Sequence, residues 1–244
     1  MNALGIDIGG SGIKGAPVNT SIGALLADRR RIDTPQPSTP DAVVATAAAI
    51  VRFFSWEGPV GVAVPSVVQG GIAKTAANVD PQWIGAPGEE LLSAAIGRPV
   101  ALLNDADAAG LAEVRFGAGR GQAGVVLMVT FGTGIGSGLF VDGKLVPNTE
   151  LGHLEMHGMD AEHYAAGRIQ EEDGMSYEDW GDRVNEYLNY VHRLFWPDLI
   201  IAGGGISKEW DAWSGRLSVP TRVVPAELRN DAGIVGAAVA AISG

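Results

Sequence analysis

The chain of 244 residues contains no cysteine, which excludes disulfide bonds and any zinc site built on thiolates. Long hydrophobic runs are also missing, since the longest, such as Ala42–Val51, reach about half of the ~20 residues that a membrane span needs. Residues 1–10 lack the basic start of a secretory signal. We therefore expect a soluble, cytoplasmic protein without a membrane partner.

Positive charge is scarce as well. Lys and Arg number 17 against 28 Asp and Glu, which gives a formal net charge of −11. Because nucleic acids are bound by basic surfaces, this balance argues against a nucleic-acid partner. It does not exclude an anionic substrate, since one basic cleft can exist on an acidic protein. Charged residues make up only 18% of the chain and apolar residues 46%, which favours a folded globular protein over a disordered one.

The apolar segments are bounded by glycine or proline and alternate with helical segments, which predicts an α/β fold. The predicted strands include Ala3–Ile8, Ile13–Val18, Ala24–Asp33, Val60–Val64, Gly70–Ala76 and Val100–Leu103. The predicted helices include Asp105–Phe116, Ala161–Gln170, one that opens after Gly205, and Asp231–Ile242. A strand–glycine turn–strand unit occurs in each half of the chain. We therefore expect a duplicated core in two lobes with a cleft between them, residues 1–106 plus 231–244 and residues 107–230.

Glycine is abundant, with 35 residues, and it clusters in three loops that follow predicted strands. In the first loop the glycine N–H groups can converge on a phosphate, with the Ser11 hydroxyl as a further donor and Lys14 as a fixed cation. Asp7 is placed to hold Mg²⁺ through water. An ordinary glycine hairpin with an exposed Asp explains this loop equally well. The match of residues 10–15 to GxGxxG does not indicate a dinucleotide fold, because Pro17 follows where that fold needs a helix.

The three loops together favour a phosphate-binding function over plain turns. Their candidate phosphate-donor residues are Gly9, Gly10, Ser11, Gly12, Lys14, Thr130, Gly132, Thr133, Gly134, Gly204 and Gly205. Asp105 is a candidate general base, because it follows a short apolar strand and begins a helix. Its spacing is equally typical of a helix N-cap.

Four segments occur in an order that resembles the ROK-type sugar kinases of the actin-like ATPase superfamily, over nearly the whole chain. They are the loop Asp7–Lys14, the pair Asn104–Asp105, the loop Gly132–Gly136 and the sequence Glu150–His153. Further segments resemble the polyphosphate-dependent branch of that family, namely Pro35–Pro40, Ala77–Gly85, Glu150–Glu155 and Pro197–Lys208. The resemblance implies an actin-like ATPase (ribonuclease H-like) fold. It also implies transfer of a phosphoryl group from inorganic polyphosphate or ATP, with Mg²⁺, to the 6-hydroxyl of glucose and, in some relatives, of mannose.

The resemblance favours Asp105 as the general base and implies a set of sugar-binding residues. These are Asn104, Asp105, Glu150, His153, Glu162, Ser66 and Asn78. Trp83 is either a wall that stacks on the sugar or simple packing. A polyphosphate chain also needs a basic track, for which the candidates are Lys74, Arg115, Arg120, Lys144, Arg168 and Lys208.

Most ROK kinases carry a cysteine-rich zinc motif after the Glu-x-Gly-His sequence. The corresponding stretch here, Gly158–Gly167, has no cysteine, so we expect no zinc, and a site on His153 and His157 would lack the thiolates. Relatives are usually homodimers, and the interface candidates, which could equally be core, are Trp180, Tyr187, Tyr190 and Trp196. The alternatives are an ATP-only ROK-type hexokinase and, more remotely, a non-catalytic sugar-binding module.

Overall fold

The computed structural model describes residues 1–243, which form two compact units. The first consists of Met1–Ala112 and the segment from Asp231 onward, and the second of Glu113–Asn230. The junction lies within one helix, Asp105–Phe116, and the predicted division after residue 106 falls in the same helix. Among residues 1–243, no helix combines the length and the apolar character that a membrane crossing requires.

The elements are numbered in chain order. The strands are β1 Asn2–Ile8, β2 Gly12–Asn19, β3 Ala24–Leu25, β4 Arg30–Asp33, β5 Val60–Val64, β6 Val68–Gln69, β7 Ile72–Ala73, β8 Val100–Asn104, β9 Val125–Phe131, β10 Ile135–Val141, β11 Lys144–Val146, β12 Glu155–Met156, β13 Met159–Asp160, β14 Leu199–Gly203 and β15 Arg222–Pro225. The helices are α1 Pro40–Phe53, α2 Gly88–Ile96, α3 Asp105–Phe116, α4 Glu162–Ala165, α5 Gly167–Glu172, α6 Tyr177–Phe195, α7 Trp210–Trp213 and α8 Ala232–Ala240. Short 3-10 turns include Pro81–Trp83, Leu151–His153 and Gly205–Glu209.

The sheet of the first unit has the order β3-β2-β1-β5-β8, with β4 also paired to β2. Strands β1, β5 and β8 are parallel, and β1 and β2 form an antiparallel hairpin. Helix α8 packs directly on the sheet backbone, because a Cβ atom at Gly5 would lie 1.8 Å from the Ile234 carbonyl oxygen. The same distance separates a Cβ at Gly61 from the Ala237 carbonyl oxygen. Glycine at these two strand positions therefore sets how closely α8 approaches.

The second unit contains a sheet in the order β11-β10-β9-β14-β15, in which β9, β14 and β15 are parallel. Its core is an aromatic cluster in which Trp180 and Trp213 meet edge to face at 5.1 Å between ring centroids. Phe131 of β9 and Tyr187 of α6 complete the cluster, with 6.1 Å between their centroids. Such pairs stabilise a core beyond the area they bury, by about 0.5–1.5 kcal/mol each.

Several predicted elements are wrong in their extent. The single strand predicted at 24–33 is two strands, β3 and β4, and β3 ends where Leu26 donates to the carbonyl of Pro17. Pro17 has no N–H to return that bond, so the ladder stops there. Of the strand predicted at 70–76 only Ile72–Ala73 is a strand, β7, and it pairs with β6 before it because Gly70 and Gly71 take positive φ angles of 58° and 76° and turn the chain.

Two predicted helices also differ. The helix predicted at 161–170 is divided into α4 and α5 at Ala166, whose extended backbone (φ −61°, ψ 156°) interrupts the helical hydrogen bonds. The helix predicted after Gly205 is a 3-10 turn followed by the one-turn helix α7. In the second case the cluster Gly203–Gly205 disfavours a regular helix directly after it.

Three predicted surface or pocket aromatics belong to the core. Trp83 is fully buried and donates its indole N–H to the Ser38 carbonyl at 3.1 Å, so of its two alternatives the structure supports packing and not a wall that stacks on the sugar. Trp180 and Tyr187 are fully buried as well, which excludes them from a subunit interface. Trp196, in contrast, follows the end of α6 and is 72% exposed.

Candidate active site

The first glycine loop joins β1 and β2 in the first unit, and the antiparallel register places Asp7 opposite Lys14. The loop closes with a hydrogen bond from the Gly9 N–H to the Gly12 carbonyl at 3.1 Å. Two neighbours hold it from outside. The Thr34 hydroxyl donates to the Gly9 carbonyl at 2.5 Å, and Arg31 Nη2 donates to the Ser11 carbonyl at 2.9 Å. The loop is therefore fixed through its carbonyl groups, which leaves the Ser11 side chain exposed.

The carboxylate of Asp7 lies at the base of this loop, 3.8 Å from Lys14 Nζ. Its side chain is 19% exposed, and burial raises the pKa of the carboxyl although Lys14 opposes the shift. The first turn of α8 covers it from one side, where a Cβ at Gly233 would lie 2.9 Å from Asp7 Cγ. The site therefore offers a metal ion one carboxylate, that of Asp7, next to the ammonium group of Lys14.

Asn78 lies against the same loop, since a Cβ at Gly10 would be 3.2 Å from Asn78 Cβ and from its carbonyl oxygen. Its backbone adopts φ 60°, a conformation that asparagine tolerates better than most residues. The structure thus brings one predicted sugar-binding residue next to the predicted phosphate loop.

Asn104, at the end of β8, is the N-cap of α3. Its Oδ1 atom accepts hydrogen bonds from the N–H groups of Ala106 at 2.8 Å and Asp107 at 3.0 Å. Its Nδ2 atom donates to the Ser66 carbonyl at 3.2 Å. Asn104, and not Asp105 alone, therefore caps α3, and the role of Asp105 as general base stays a prediction. Asp105 is half-buried, and its Oδ1 accepts from the N–H of Ala106 at 2.8 Å.

The Ser66 hydroxyl oxygen is buried and has no hydrogen-bond partner among residues 1–243. A buried hydroxyl without a partner costs free energy, and a ligand that supplies one recovers it. Ser66 accepts from Asn104 through its carbonyl, so its unpaired hydroxyl lies close to the start of α3. This polar group fits a predicted contact to a sugar hydroxyl.

The second and third glycine loops lie side by side in the second unit, because β9 and β14 are parallel and Gly203 stands opposite Thr130. A Cβ at Gly204, where φ is 88°, would lie 2.3 Å from the Phe131 carbonyl oxygen. Only glycine permits that approach. In the second loop the Gly132 N–H donates to the Gly134 carbonyl at 3.0 Å. Two further residues predicted to bind the phosphate donor, Thr133 and Gly205, are exposed at this edge of the sheet.

The carboxylate of Glu162 contacts the second loop. Its Oε2 accepts a hydrogen bond from the Ile135 N–H at 3.4 Å, and a Cβ at Gly134 would lie 2.4 Å from the same oxygen. Arg168, one candidate of the basic track, donates its backbone N–H to the Gly132 carbonyl at 3.0 Å. The segment around α4 and α5 therefore supports the turn between β9 and β10.

Glu150 directly precedes the 3-10 turn Leu151–His153, and His153 is the last residue of that turn. Glu150 Oε2 lies 3.9 Å from His153 Nε2. Gly152 lets this turn approach β10, because a Cβ there would lie 2.3 Å from the Ile135 carbonyl oxygen. Burial raises the pKa of Glu150. A hydrogen bond to Asp160, 2.8 Å from Nδ1, raises the pKa of His153.

The two histidines pair with different carboxylates, since His157 Nε2 lies 2.8 Å from Glu186 Oε1 of α6 and His153 Nδ1 lies 2.8 Å from Asp160 Oδ2 of β13. Among residues 1–243, no group of three or more His, Asp and Glu side chains is arranged to hold a metal ion. The expectation that the protein holds no zinc stays a prediction from the sequence.

Sequence reasoning missed three residues that shape the site: Arg31, Thr34 and Asp160. Arg31 stands opposite Lys14 in the β2–β4 register, which pairs two cations across neighbouring strands. Sequence spacing does not predict the contact of Thr34 with Gly9 or that of Asp160 with His153, because each depends on the path of the chain between the two residues. Only the basic run Arg29–Arg31 gave a signal in the sequence.

Comparison with known proteins extends these observations. The sequence pattern of the ROK family matches residues 3–168. The chain is 50% identical to the polyphosphate glucokinase of Mycobacterium tuberculosis over 243 residues, covering 99% of this chain and 92% of that protein. Its fold matches the crystal structure of the inorganic polyphosphate/ATP-glucomannokinase from Arthrobacter sp. strain KM with a TM-score of 0.93 and 50% identity, over 98% and 97% of the two chains.

A second solved structure, the ROK family glucokinase of Streptomyces griseus in complex with glucose and AMPPNP, matches with a TM-score of 0.85 and 25% identity over 100% of both chains. These matches confirm the predicted α/β fold of the actin-like ATPase type, which ROK sugar kinases share. The family pattern and the extent of the identity lead to one conclusion: this chain belongs to the ROK family.

Proposed function

We propose that this protein transfers a phosphoryl group from inorganic polyphosphate or ATP to the 6-hydroxyl of glucose. The observation that carries the proposal is the 50% identity to a polyphosphate glucokinase along 99% of the chain. That alignment spans all three glycine loops, the Asn104–Asp105 pair and the Glu150–His153 turn. The match to a polyphosphate/ATP-glucomannokinase supports both donors.

Asp105 acts as the general base in this proposal. Its carboxylate accepts the proton of the sugar hydroxyl as the oxygen attacks the terminal phosphorus. The new O–P bond forms while the bridging P–O bond breaks, and the leaving ADP or shortened polyphosphate takes the electron pair. A positioned base of this type contributes about 10²–10⁴-fold. The cap made by Asn104 fixes the first turn of α3 and so holds the backbone of Asp105.

Sugar recognition is proposed for polar groups in each unit. In the first unit, the unpaired Ser66 hydroxyl, Asn104 and Asn78 supply donors and acceptors. In the second unit, Glu150, His153 and Glu162 supply carboxylate and imidazole groups. Sites that pair buried polar groups with hydroxyls reject sugars that leave those groups unpaired. We extend the proposal to mannose because of the glucomannokinase match.

Donor binding is proposed for the three glycine loops, with Lys14 as the fixed cation. The residues at Asp7 fit Mg²⁺, which binds proteins through one or two carboxylates, keeps several waters and takes further ligands from substrate phosphates. Asp7 supplies the carboxylate, and its burial beside the loop makes a cation favourable there. When bound, the ion neutralises charge on the phosphates.

We propose a homodimer as the working assembly. Trp196 is 72% exposed after the end of α6 and Leu194 is 50% exposed, which makes this end of the helix the candidate contact. Sedimentation of the wild type and of Trp196→Ser tests this, since loss of dimer in the variant is the expected result. A cytoplasmic location stays a prediction from the sequence.

The function is tested by a glucose 6-phosphate assay with Mg²⁺, comparing polyphosphate freed of ATP with ATP freed of polyphosphate. Turnover with both donors is expected. Turnover with ATP alone would make the chain an ATP-only hexokinase, and glucose binding without turnover would indicate a non-catalytic module.

The general base is tested by Asp105→Asn, which should lose at least 10²-fold in kcat and stay folded. The matched control is Asp41→Asn, because Asp41 also lies in the first turn of a helix after a capped N-terminus. The control should keep its activity. An Asp105→Asn variant with wild-type kcat would exclude Asp105 as the base.

A further inference from the structure

The hairpin β12–β13 follows the 3-10 turn that ends at His153. Its register pairs Glu155 with Asp160, and its two-residue turn uses positive φ angles at His157 (55°) and Gly158 (77°). This tight return brings the Asp160 carboxylate back to the imidazole of His153, with 2.8 Å between Oδ2 and Nδ1. The backbone geometry of the hairpin therefore determines the contact between Asp160 and His153.

A carboxylate can only accept a hydrogen bond, so this contact places a proton on His153 Nδ1. In the neutral ring the lone pair is then on Nε2. Nε2 lies 3.9 Å from Glu150 Oε2, which puts an imidazole nitrogen and a carboxylate oxygen side by side. The His153 side chain is 55% exposed, so a ligand can reach Nε2. Two neighbouring acceptors at this spacing suit two adjacent hydroxyls of one sugar.

We propose that Asp160 is a positioning residue that holds His153 in the tautomer and orientation in which Nε2 accepts a hydrogen bond from a sugar hydroxyl. This inference rests on the proposed function, because it assigns His153 to the sugar. Asp160 itself does not touch the substrate. Its role is comparable to that of carboxylates that orient metal-bound or catalytic imidazoles through the other ring nitrogen.

The charges that face His153 are all negative: Asp160, Glu150 and Glu162 each favour the protonated ring, while burial opposes it. The hydrogen bond to Asp160 is the largest of these effects, and it raises the pKa of His153. Below that pKa both ring nitrogens carry protons, and Nε2 cannot accept from a hydroxyl. Glucose binding should therefore weaken on the acid side as His153 becomes protonated.

Two variants separate orientation from charge. In Asp160→Asn the amide oxygen still accepts from Nδ1 but the charge is lost, so the acid-side weakening of glucose binding should move to lower pH with a similar Kd at the plateau. In Asp160→Ala the ring loses its anchor, and the Kd for glucose should rise at least tenfold at the plateau. The matched control is Glu186→Gln, because His157 and Glu186 form a second pair with the same 2.8 Å separation. It should leave the glucose Kd unchanged at every pH.

The Kd for glucose is measured by isothermal titration calorimetry between about pH 5 and 9, with NMR of the imidazole nitrogens reporting the His153 tautomer and pKa. Neither readout needs turnover. An absence of glucose 6-phosphate from wild-type protein that binds glucose would overturn the proposed function and leave this inference standing. The inference is overturned if both Asp160 variants bind glucose as the wild type does across the pH range, or if the Nδ1 proton is absent in the wild type.

Discussion

The guanidinium of Arg31 lies next to Gly12 and donates from Nη2 to the carbonyl of Ser11 at 2.9 Å. A Cβ at Gly12 would be 2.6 Å from Arg31 Nε, so the absent side chain makes room for the contact. Arg31 also pairs with Asp33 on the same strand. One arginine thus ties β4 to the peptide at the tip of the first glycine loop.

Replacing Arg31 should therefore weaken donor binding. Arg31→Gln removes a charge-assisted hydrogen bond, a type of contact worth about 1.5–3 kcal/mol, and also a positive charge beside the loop. We expect the KM for polyphosphate and for ATP to rise about tenfold, with little change in the KM for glucose. Steady-state kinetics with each donor check this.

Arg30 gives the matched control, because it is the neighbouring residue on β4 and stacks over the Phe53 ring at 4.9 Å instead of contacting the loop. Arg30→Gln changes the net charge equally. If both variants raise the donor KM by the same factor, the effect is general electrostatics and not the contact to Ser11.

Asp7→Asn should make the protein more stable at alkaline pH. Burial raises the pKa of Asp7, so the folded state holds this proton more tightly than the unfolded state. The wild type therefore loses stability as pH rises through the raised pKa, and the uncharged variant does not. We expect a higher urea midpoint for the variant at pH 8 and a difference that shrinks as the pH is lowered. A variant less stable than the wild type at pH 8 would contradict this.

Tyr187→Phe should stabilise the second unit. The Tyr187 hydroxyl is fully buried with no hydrogen-bond partner among residues 1–243, and burial raises its pKa. Removing it keeps the ring in the aromatic cluster and relieves the cost of an unpaired polar group, about 1 kcal/mol. Urea denaturation measures the change. Tyr164→Phe is the control, because the Tyr164 hydroxyl donates to Glu186 at 2.9 Å and its loss should bring no gain.

Glu113→Gln should have the opposite effect. The Glu113 carboxylate is fully buried and accepts from three backbone N–H groups, those of Ala118 at 2.9 Å, Glu227 at 3.1 Å and Leu228 at 2.7 Å. An amide would point N–H groups at some of these donors. We expect a loss of about 2–4 kcal/mol in the free energy of unfolding. Glu172→Gln, at an exposed glutamate, should change it by less than about 0.5 kcal/mol.

The sequence was sufficient for the strands whose partners are near in the chain or whose apolar runs are continuous. Strands β1 and β5 needed only their continuous apolar runs, which are buried along nearly their whole length, and the hairpin of β1 with β2 followed from the glycines between them. Where tertiary contacts decide, prediction failed. The break between β3 and β4 depends on the missing N–H of Pro17, which matters only because that residue faces Leu26.

Predictions about the site divide in the same way. Residue types that must be at a strand end, such as Asp105 after β8, could be found from the pattern. Which residue caps α3 could not, because it depends on which of two adjacent side chains turns back to the helix, and in the structure Asn104 accepts from two N–H groups of the first turn. Trp83 was ambiguous for a related reason, since burial is a property of the fold and not of the residue.

The packing of α8 on β1 and β5 has a consequence for synthesis. The helix that covers the first sheet is separated from it in sequence by the whole second unit, residues 113–230. As the nascent chain leaves the ribosome, the first unit exposes that face of its sheet until the residues of α8 emerge. The second unit, made from one continuous segment, meets no such delay and has all of its own strands available first. During synthesis, the first unit is therefore translated first but completed last, after the second unit.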